Sequence, residues 1–293
     1  MAEGDLDEAV TVFDAQRRRL FGIAYRMLGT VADAEDMVQE TWIRWQGADR
    51  SGIREPGAFL ATIITRLSIN ALQSAHARRE TYIGPWLPEP VNTDDDPTLG
   101  AETGEALQYA VLILLEKLSP TERAAYVLRE AFDYPYPRIA EIIATSAVNA
   151  RQLVSRARAH LSSARRTTAS AHEQRRLLEA FVTAAQRGDV DALESLLAED
   201  VVSRTDGNGA KLAARIPVAG RSRVAAFIAA FSGHFWTGKR VGWVEVNGQP
   251  AATLAVDGDV TTLVTITAGP DGIEQLLWVM APDKLRNAEP TRA

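Results

Sequence analysis

The sequence predicts a multidomain fold: two all-α units, a helical bundle and then a helix-turn-helix, followed by an α+β cone. Three observations predict it. Apolar residues recur at steps of three and four over residues 7–80 and again over 105–166, the spacing of one helical face. A Pro-rich acidic stretch, 81–104, separates those blocks. From about residue 172 to 286 the pattern becomes helices and then a run of short strands read as antiparallel, which argues against a parallel sheet.

In the first block, Phe13, Leu20, Ile23, Ala24, Met27 and Leu28 mark a helix ended by Gly29. Ala34, Met37, Val38, Thr41, Trp42 and Trp45 mark a second, ended near Gly47. Asp49–Gly57 reads as a loop, and Phe59, Ile63, Ile64, Leu67 and Leu72 mark a third helix. The stretch after it holds four prolines, the run Asp94-Asp95-Asp96, and Trp86-Leu87-Pro88-Glu89-Pro90. A disordered tether rarely carries adjacent Trp and Leu, so this piece is expected to dock on something.

The second block opens with a helix over Ala106–Leu118. Ser119 caps the next, Pro120–Phe132, with Pro120 at the first helical position and Glu122 in the capping-box slot. Arg138–Ala144 and Val148–Arg166 then form the helix-turn-helix, with Thr145-Ser146-Ala147 as turn and Ser146 as cap, although the usual turn glycine is absent. In the last segment Ala150, Leu153, Ala157, Leu161 and Ala164 share one face, while Arg151, Gln152, Ser155, Arg156 and Arg158 lie on the others. A helix apolar on one side and Arg-rich with short polar residues on the other suits a DNA major groove. Beyond residue 171, helices are expected over Glu173–Arg187, Asp189–Leu197 and Arg221–Ser232. Strands are expected over Val201–Arg204, Leu212–Val218, Arg240–Val246, Ala252–Val256, Thr261–Thr267 and Ile273–Ala281.

The 293-residue chain carries a formal net charge of −6, which by itself disfavours DNA. Screening makes the local field the relevant quantity. Residues 138–166 hold six arginines and one acid, whereas 80–116 hold eight acids and no Lys or Arg. There is no cysteine, so disulfides and thiolate sites are excluded. His76, His160, His172 and His234 are scattered without ligand spacing, and no Walker or GxGxxG motif occurs, so neither a metal nor a cofactor is expected. No apolar run approaches the ~20 residues of a membrane span, and the acidic N-terminus is unlike a signal peptide; a cytoplasmic protein without membrane contact is the expectation.

Asp33, Glu35, Asp36 and Glu40 spread acids around one short helix, a face that repels DNA and suits a protein partner. The run Asp33-Ala34-Glu35-Asp36-Met37-Val38-Gln39-Glu40-Thr41-Trp42-Ile43-Arg44 resembles the region 2 helix of extracytoplasmic-function (ECF) bacterial sigma factors. Pro56–Arg79 resembles the helix that follows it, and Leu118–Arg166 resembles region 4. The resemblance implies an ECF sigma factor whose partners are the beta and beta-prime subunits of RNA polymerase core and promoter DNA. It implies core binding by Asp33, Asp36, Gln39, Glu40 and Trp42, and −35 contacts by Arg151, Gln152, Ser155, Arg156 and Arg158. Opening a duplex requires capture of unstacked bases; the Asp49–Gly57 loop with Thr62, Arg66 and Asn70 forms the candidate −10 surface.

Three further motifs resemble those of the ECF41 group: Trp86-Leu87-Pro88-Glu89-Pro90; Asp206-Gly207-Asn208-Gly209-Ala210-Lys211, with one glycine replaced and one residue extra; and Ala281-Pro282-Asp283-Lys284-Leu285. The C-terminal part resembles a SnoaL-like domain of the NTF2-like fold. The resemblance implies regulation in cis, with Trp86 to Pro90, Asp206, Gly207, Lys211 and Pro282 to Leu285 forming one clamp. A small-molecule ligand in the C-terminal domain is a further expectation, with Trp236, Trp243, Trp278, Phe227, Phe231 and Phe235 as its lining or else as plain core. Two other readings stand beside this one: a ligand-sensing DNA-binding regulator without polymerase affinity, and a SnoaL-like enzyme fused to a DNA-binding module. Asp206, His234, Asp257, Asp259 and Glu274 lack diagnostic catalytic spacing, so no enzyme is expected.

Overall fold

The structure is a computed structural model that describes residues 3–79, 82–93, 109–162 and 169–287. These fall into two compact units, one of 3–79 with 109–162 and one of 82–93 with 169–287. The run Asp94-Asp95-Asp96, the start of the helix expected at Ala106, and Arg165 and Arg166 lie outside the described residues.

The first unit is all helical: α1 (Glu3–Leu28), α2 (Val31–Gln46), α3 (Pro56–Arg79), α4 (Tyr109–Leu115), α5 (Pro120–Glu130), α6 (Tyr136–Ile142) and α7 (Ala147–Ser162). α1 packs on α2, α3, α4 and α5. Its last turns are therefore covered on every side, and Ile23 through Leu28 are all buried. Gly29, at φ 78°, ends it in the left-handed region that a side chain disfavours. Thr30 caps α2, and Ser119 and Glu122 form the expected capping box on α5. Two buried arginines bind this unit together. Arg123 donates to the α1 carbonyl of Met27 (2.6 Å) and to Glu116 (2.8 Å); Arg26 donates to Gly22 O (2.8 Å) and lies under the Phe132 ring. Met27 O is one of the terminal helix carbonyls that need an outside donor.

The helix-turn-helix is formed by α6 and α7. Ile139 and Ile142 of α6 pack with Ala150, Leu153, Val154, Ala157 and Leu161 of α7, all buried. Ser146 caps α7, and Asn149 donates to Thr145 Oγ1 (2.7 Å). The missing turn glycine is replaced by Ala144 at φ 54°, a strained position for a residue with a Cβ.

The second unit has α8 (Ala171–Arg187), α9 (Val190–Leu196), α10 (Arg221–Phe235) and a short α11 (Pro282–Leu285) around a sheet. The strands are β1 (Leu197–Asp206), β2 (Val218–Ala219), β3 (Arg240–Val246), β4 (Gln249–Val256), β5 (Asp259–Gly269) and β6 (Gly272–Val279). Their order is β2-β1-β6-β5-β4-β3. Leu178, Phe181 and Val182 of α8 and Val224 and Ile228 of α10 share one core with Leu254, Val264, Ile266, Leu276 and Trp278 of the sheet.

Two strand expectations are corrected. The sheet is mixed: β3 to β6 form an antiparallel meander, but β1 runs parallel to β6. α10 and the meander intervene between them, giving the long connection that parallel pairing needs. The expected strand Leu212–Val218 is reduced to Val218–Ala219. Asn208, Gly209 and Leu212 have φ of 43°, 83° and 67°, which no pleated strand tolerates, and Ile216 is left 76% exposed. The parallel pair has a geometric result: Asp206, the last residue of β1, lies in register with Val279, so both strands end on the same edge of the sheet.

Candidate functional site

α7 carries the candidate DNA face. With its apolar stripe buried, the outermost line along the helix is Val148, Gln152 and Ser155, at steps of four and three, all exposed. The arginines flank this line, each with a neighbour: Arg156 lies 3.4 Å from Glu122, Arg158 donates to Glu130 at 2.7 Å, and Arg151 lies over the Tyr136 ring. Val148 is 70% exposed on the first full turn, and the sequence reading passed over it. Flanking cations suit phosphates, and the central line suits base edges.

The α2 acids are divided between local pairing and free surface. Asp33 accepts from the hydroxyl of the capping Thr30 (2.6 Å), Glu35 pairs with Arg17 (2.6 Å) and Glu40 with Arg44 (2.9 Å), while Asp36 and Gln39 are exposed. Trp42 is half-buried with its ring 5.0 Å from that of Phe13, and Trp45 is buried, donating to Ala9 O. Ile43, 60% exposed, is an apolar residue on this surface that periodicity did not single out. On α3, Thr62 donates to its own helix at Ala58 O and Asn70 is exposed. Arg66 donates to Ile142 O (2.8 Å) and Glu141 O (3.0 Å), the unsatisfied last-turn carbonyls of α6. Its guanidinium is thus engaged by the helix-turn-helix in this structure.

Residues 82–93 pack into the second unit and meet the end of the sheet. Asp206 is fully buried and accepts from the Tyr82 hydroxyl, the Leu87 amide (2.6 Å) and Lys284 Nζ. Lys284, 3% exposed, lies 2.7 Å from that carboxylate, donates to Leu87 O at 2.6 Å, and stands 4.1 Å from the Trp86 ring centroid. Burial and then the Asp206 hydrogen bond push the Tyr82 hydroxyl far above its ordinary range, so it stays a donor. Pro88 and Pro90 are buried, and having no N–H they leave no donor there to satisfy. Glu89 accepts from Asn287 Nδ2 (2.6 Å). The strip then continues along the end of β3: Asn247 exchanges bonds with Val91, and Thr93 N donates to Glu245 O.

Of the clamp residues expected from sequence, Trp86, Leu87, Asp206 and Lys284 meet here, with Pro88, Glu89 and Pro90 buried beside them and Leu285 buried at the end of α11. Gly207 is required beside Asp206, because an added Cβ would lie 2.2 Å from Ala213 Cβ. Pro282 and Asp283 form the exposed start of α11. Lys211 does not join the knot; it is exposed on the turn-rich segment that follows Asp206.

Residues 12–78 match the Sigma-70 region 2 family, 110–161 the Sigma-70 region 4 family and 178–286 the SnoaL-like domain family. Over 305 residues the chain is 37% identical to the ECF RNA polymerase sigma factor SigJ of Mycobacterium tuberculosis (strain ATCC 25618 / H37Rv), covering 96% of this chain and 97% of that one. The chain belongs to the ECF sigma factor family. The probable ECF RNA polymerase sigma factor SigI of M. tuberculosis (strain CDC 1551 / Oshkosh) is 30% identical, covering 98% of this chain and 97% of its own. The crystal structure of M. tuberculosis SigJ superposes with a TM-score of 0.76 at 34% identity, over 97% of this chain and 100% of that one.

This sigma factor therefore binds RNA polymerase core and promoter DNA to initiate transcription, and it carries a SnoaL-like domain behind its two sigma regions. No described helix is long and apolar enough to cross a membrane. Among the described residues no cluster of His, Asp and Glu has the form of a metal site. Within the SnoaL-like domain, Thr205, Phe227, Phe231, Phe235, Trp236 and Trp278 line a narrow recess of about 40 Å³. Trp243, expected with them, instead lies beneath Arg175. Sequence reasoning also missed Tyr82 and Asn247 as clamp members; the Asn247-Gly248 pair, with φ of 53° and 69°, is a hairpin signal that could have placed the turn.

Proposed function

We propose that the SnoaL-like domain regulates this sigma factor in cis by latching the connection between its two sigma regions. The carrying observation is the buried knot of Asp206, Lys284 and Leu87. The knot lies on the covalent path from α3 to α4, so its state sets how much free chain joins the two DNA-contacting regions. Latched, 82–93 is held on the domain; released, that segment lengthens the free connection, and effective concentration falls with tether length.

The domain limits in this reading are 7–80 for region 2, 81–104 for the connection, 105–166 for region 4 and 172–286 for the regulatory domain. Arg151, Gln152, Ser155, Arg156 and Arg158 contact the −35 element, and Thr62, Arg66 and Asn70 the −10 element. Asp33, Asp36, Gln39, Glu40 and Trp42 meet the beta and beta-prime subunits. The −10 role of Arg66 requires it to leave the α6 carbonyls, so promoter engagement and the α3–α6 contact compete. The factor works in the cytoplasm with its polymerase, and its C-terminal domain responds to a small molecule rather than turning one over. Support for the last point comes from Asp206, the most buried acid of the domain, whose carboxylate is taken up by three structural donors.

The test is in vitro transcription with core polymerase, comparing the full chain with chains ending before Ala281 and after Arg166. Promoter output that changes on loss of 281–285, with the helical unit still folded by circular dichroism, supports the latch. Identical output from all three chains refutes it.

A further inference from the structure

Beside the aromatic recess, and sharing Leu212 and Met280 with it, lies a wider opening of about 880 Å³ that includes its solvent side. Three cations line it, Lys211, Lys239 and Arg286, and no acidic residue does. Lys239 is half-buried, with Nζ 3.8 Å from the Phe235 ring centroid, and burial lowers its pKa. A desolvated ammonium without a counter-charge is the condition that a bound anion relieves. Thr262 also lines the opening; it is 0% exposed and its hydroxyl has no hydrogen-bond partner. Leu212, at the divide between the two spaces, holds φ at 67° and is 51% exposed, so its side chain can swing out without disturbing packed neighbours.

We propose that this opening binds an apolar carboxylate, its acid group held by Lys211, Lys239 and Arg286, and its apolar body passing between Leu212 and Met280 into the aromatic recess. The head is anionic because three cations and no acidic residue line the opening. The body is apolar because the adjoining recess is walled by aromatic rings. The assignment rests on the regulatory reading of the domain for its purpose, but its chemistry stands on the lining alone. It also gives Lys211 a use that the latch does not.

The test is calorimetric titration of the full chain with decanoate and with 1-decanol, a neutral counterpart of equal length, each below its aggregation limit. Indole NMR signals of Trp236 and Trp278 locate the bound tail. The expected result is saturable decanoate binding about tenfold tighter than 1-decanol, the order of one charge-assisted contact. Lys239→Gln and Arg286→Gln are expected to bring decanoate close to the alcohol; Arg286 is exposed, so its variant keeps the test valid if Lys239→Gln fails to fold. Absent decanoate binding, equal binding of the two probes, or variants that bind as the parent does each overturn the proposal. Decanoate binding as expected with transcription indifferent to decanoate would leave the site standing and sink the regulatory reading instead.

Discussion

Replacing Asp206 by Asn tests the latch at its centre. The parent carboxylate sits 2.6 Å from the Leu87 amide and 2.7 Å from Lys284 Nζ, with both side chains of the ion pair at most 4% exposed. The amide variant removes the charge but keeps the shape, so the buried Lys284 loses its ion pair with Asp206. Stripping one partner from a buried pair costs about 3–5 kcal/mol. If that loss falls on docking of 82–93, the protection of the Leu87 amide against hydrogen exchange drops by a factor on the order of a hundred to a few thousand. The assay is amide exchange followed by NMR or mass spectrometry, with urea unfolding as companion. Adding Lys284→Met to Asp206→Asn recovers part of the loss, because the buried ammonium goes too. Unchanged exchange at Leu87 with a stability change under about 1 kcal/mol would refute the reasoning, since it would mean that solvent or another group already compensates Lys284.

Three more predictions concern the helical unit. Ser119→Ala removes the α5 cap and costs about 1 kcal/mol at neutral pH. The Ser119 hydrogen bond holds the Glu122 carboxyl below its usual value. A depressed folded pKa stabilises above the unfolded value and loses that contribution as pH falls through the folded one, so the gap between parent and variant narrows on acidification to the part due to the Glu122 N–H bond to Ser119. Arg123→Ala removes a buried guanidinium together with its bonds to Glu116 and the Met27 carbonyl and is expected to cost about 3 kcal/mol in chemical unfolding, beyond any surface Arg→Ala change. If Val148 touches a thymine methyl, replacing that thymine by deoxyuridine weakens holoenzyme binding to a promoter selected from a randomised pool by about fourfold, the worth of one buried methyl, and leaves a Val148→Ala variant unaffected.

The parts of this molecule that were legible beforehand are those whose signal is local. Ser119, Pro120 and Glu122 announce a capped helix within four residues, and the six apolar positions of α1 from Phe13 to Leu28 repeat often enough to fix its buried face. Trp86 beside Leu87 marked a segment that must dock, but not its dock, because the partners lie 119 to 197 residues away in sequence. The segment after Asp206 misled because alternating Leu212, Ala214, Ile216 and Val218 imitate a strand, while the positive φ at Leu212 that prevents one belongs to the tertiary structure. Val148 was hidden for the opposite reason: periodic reading assigns an apolar residue to the interior, and this one faces out. The contact of Arg66 with α6 depends on packing between helices 75 and 76 residues apart, which no window of sequence contains.

The pairing of β1 with β6 has a consequence for the order in which the protein is made. Asp206 waits at the tip of β1 for a lysine that the ribosome delivers 78 residues later, and Leu87 waits 197 residues for the same side chain. Both sigma regions emerge before that lysine is translated, and domains generally fold as units as they appear. A nascent chain therefore passes through a stage in which its polymerase- and promoter-binding helices are formed and its fastening is absent. Premature termination between region 4 and Lys284 would make that stage permanent.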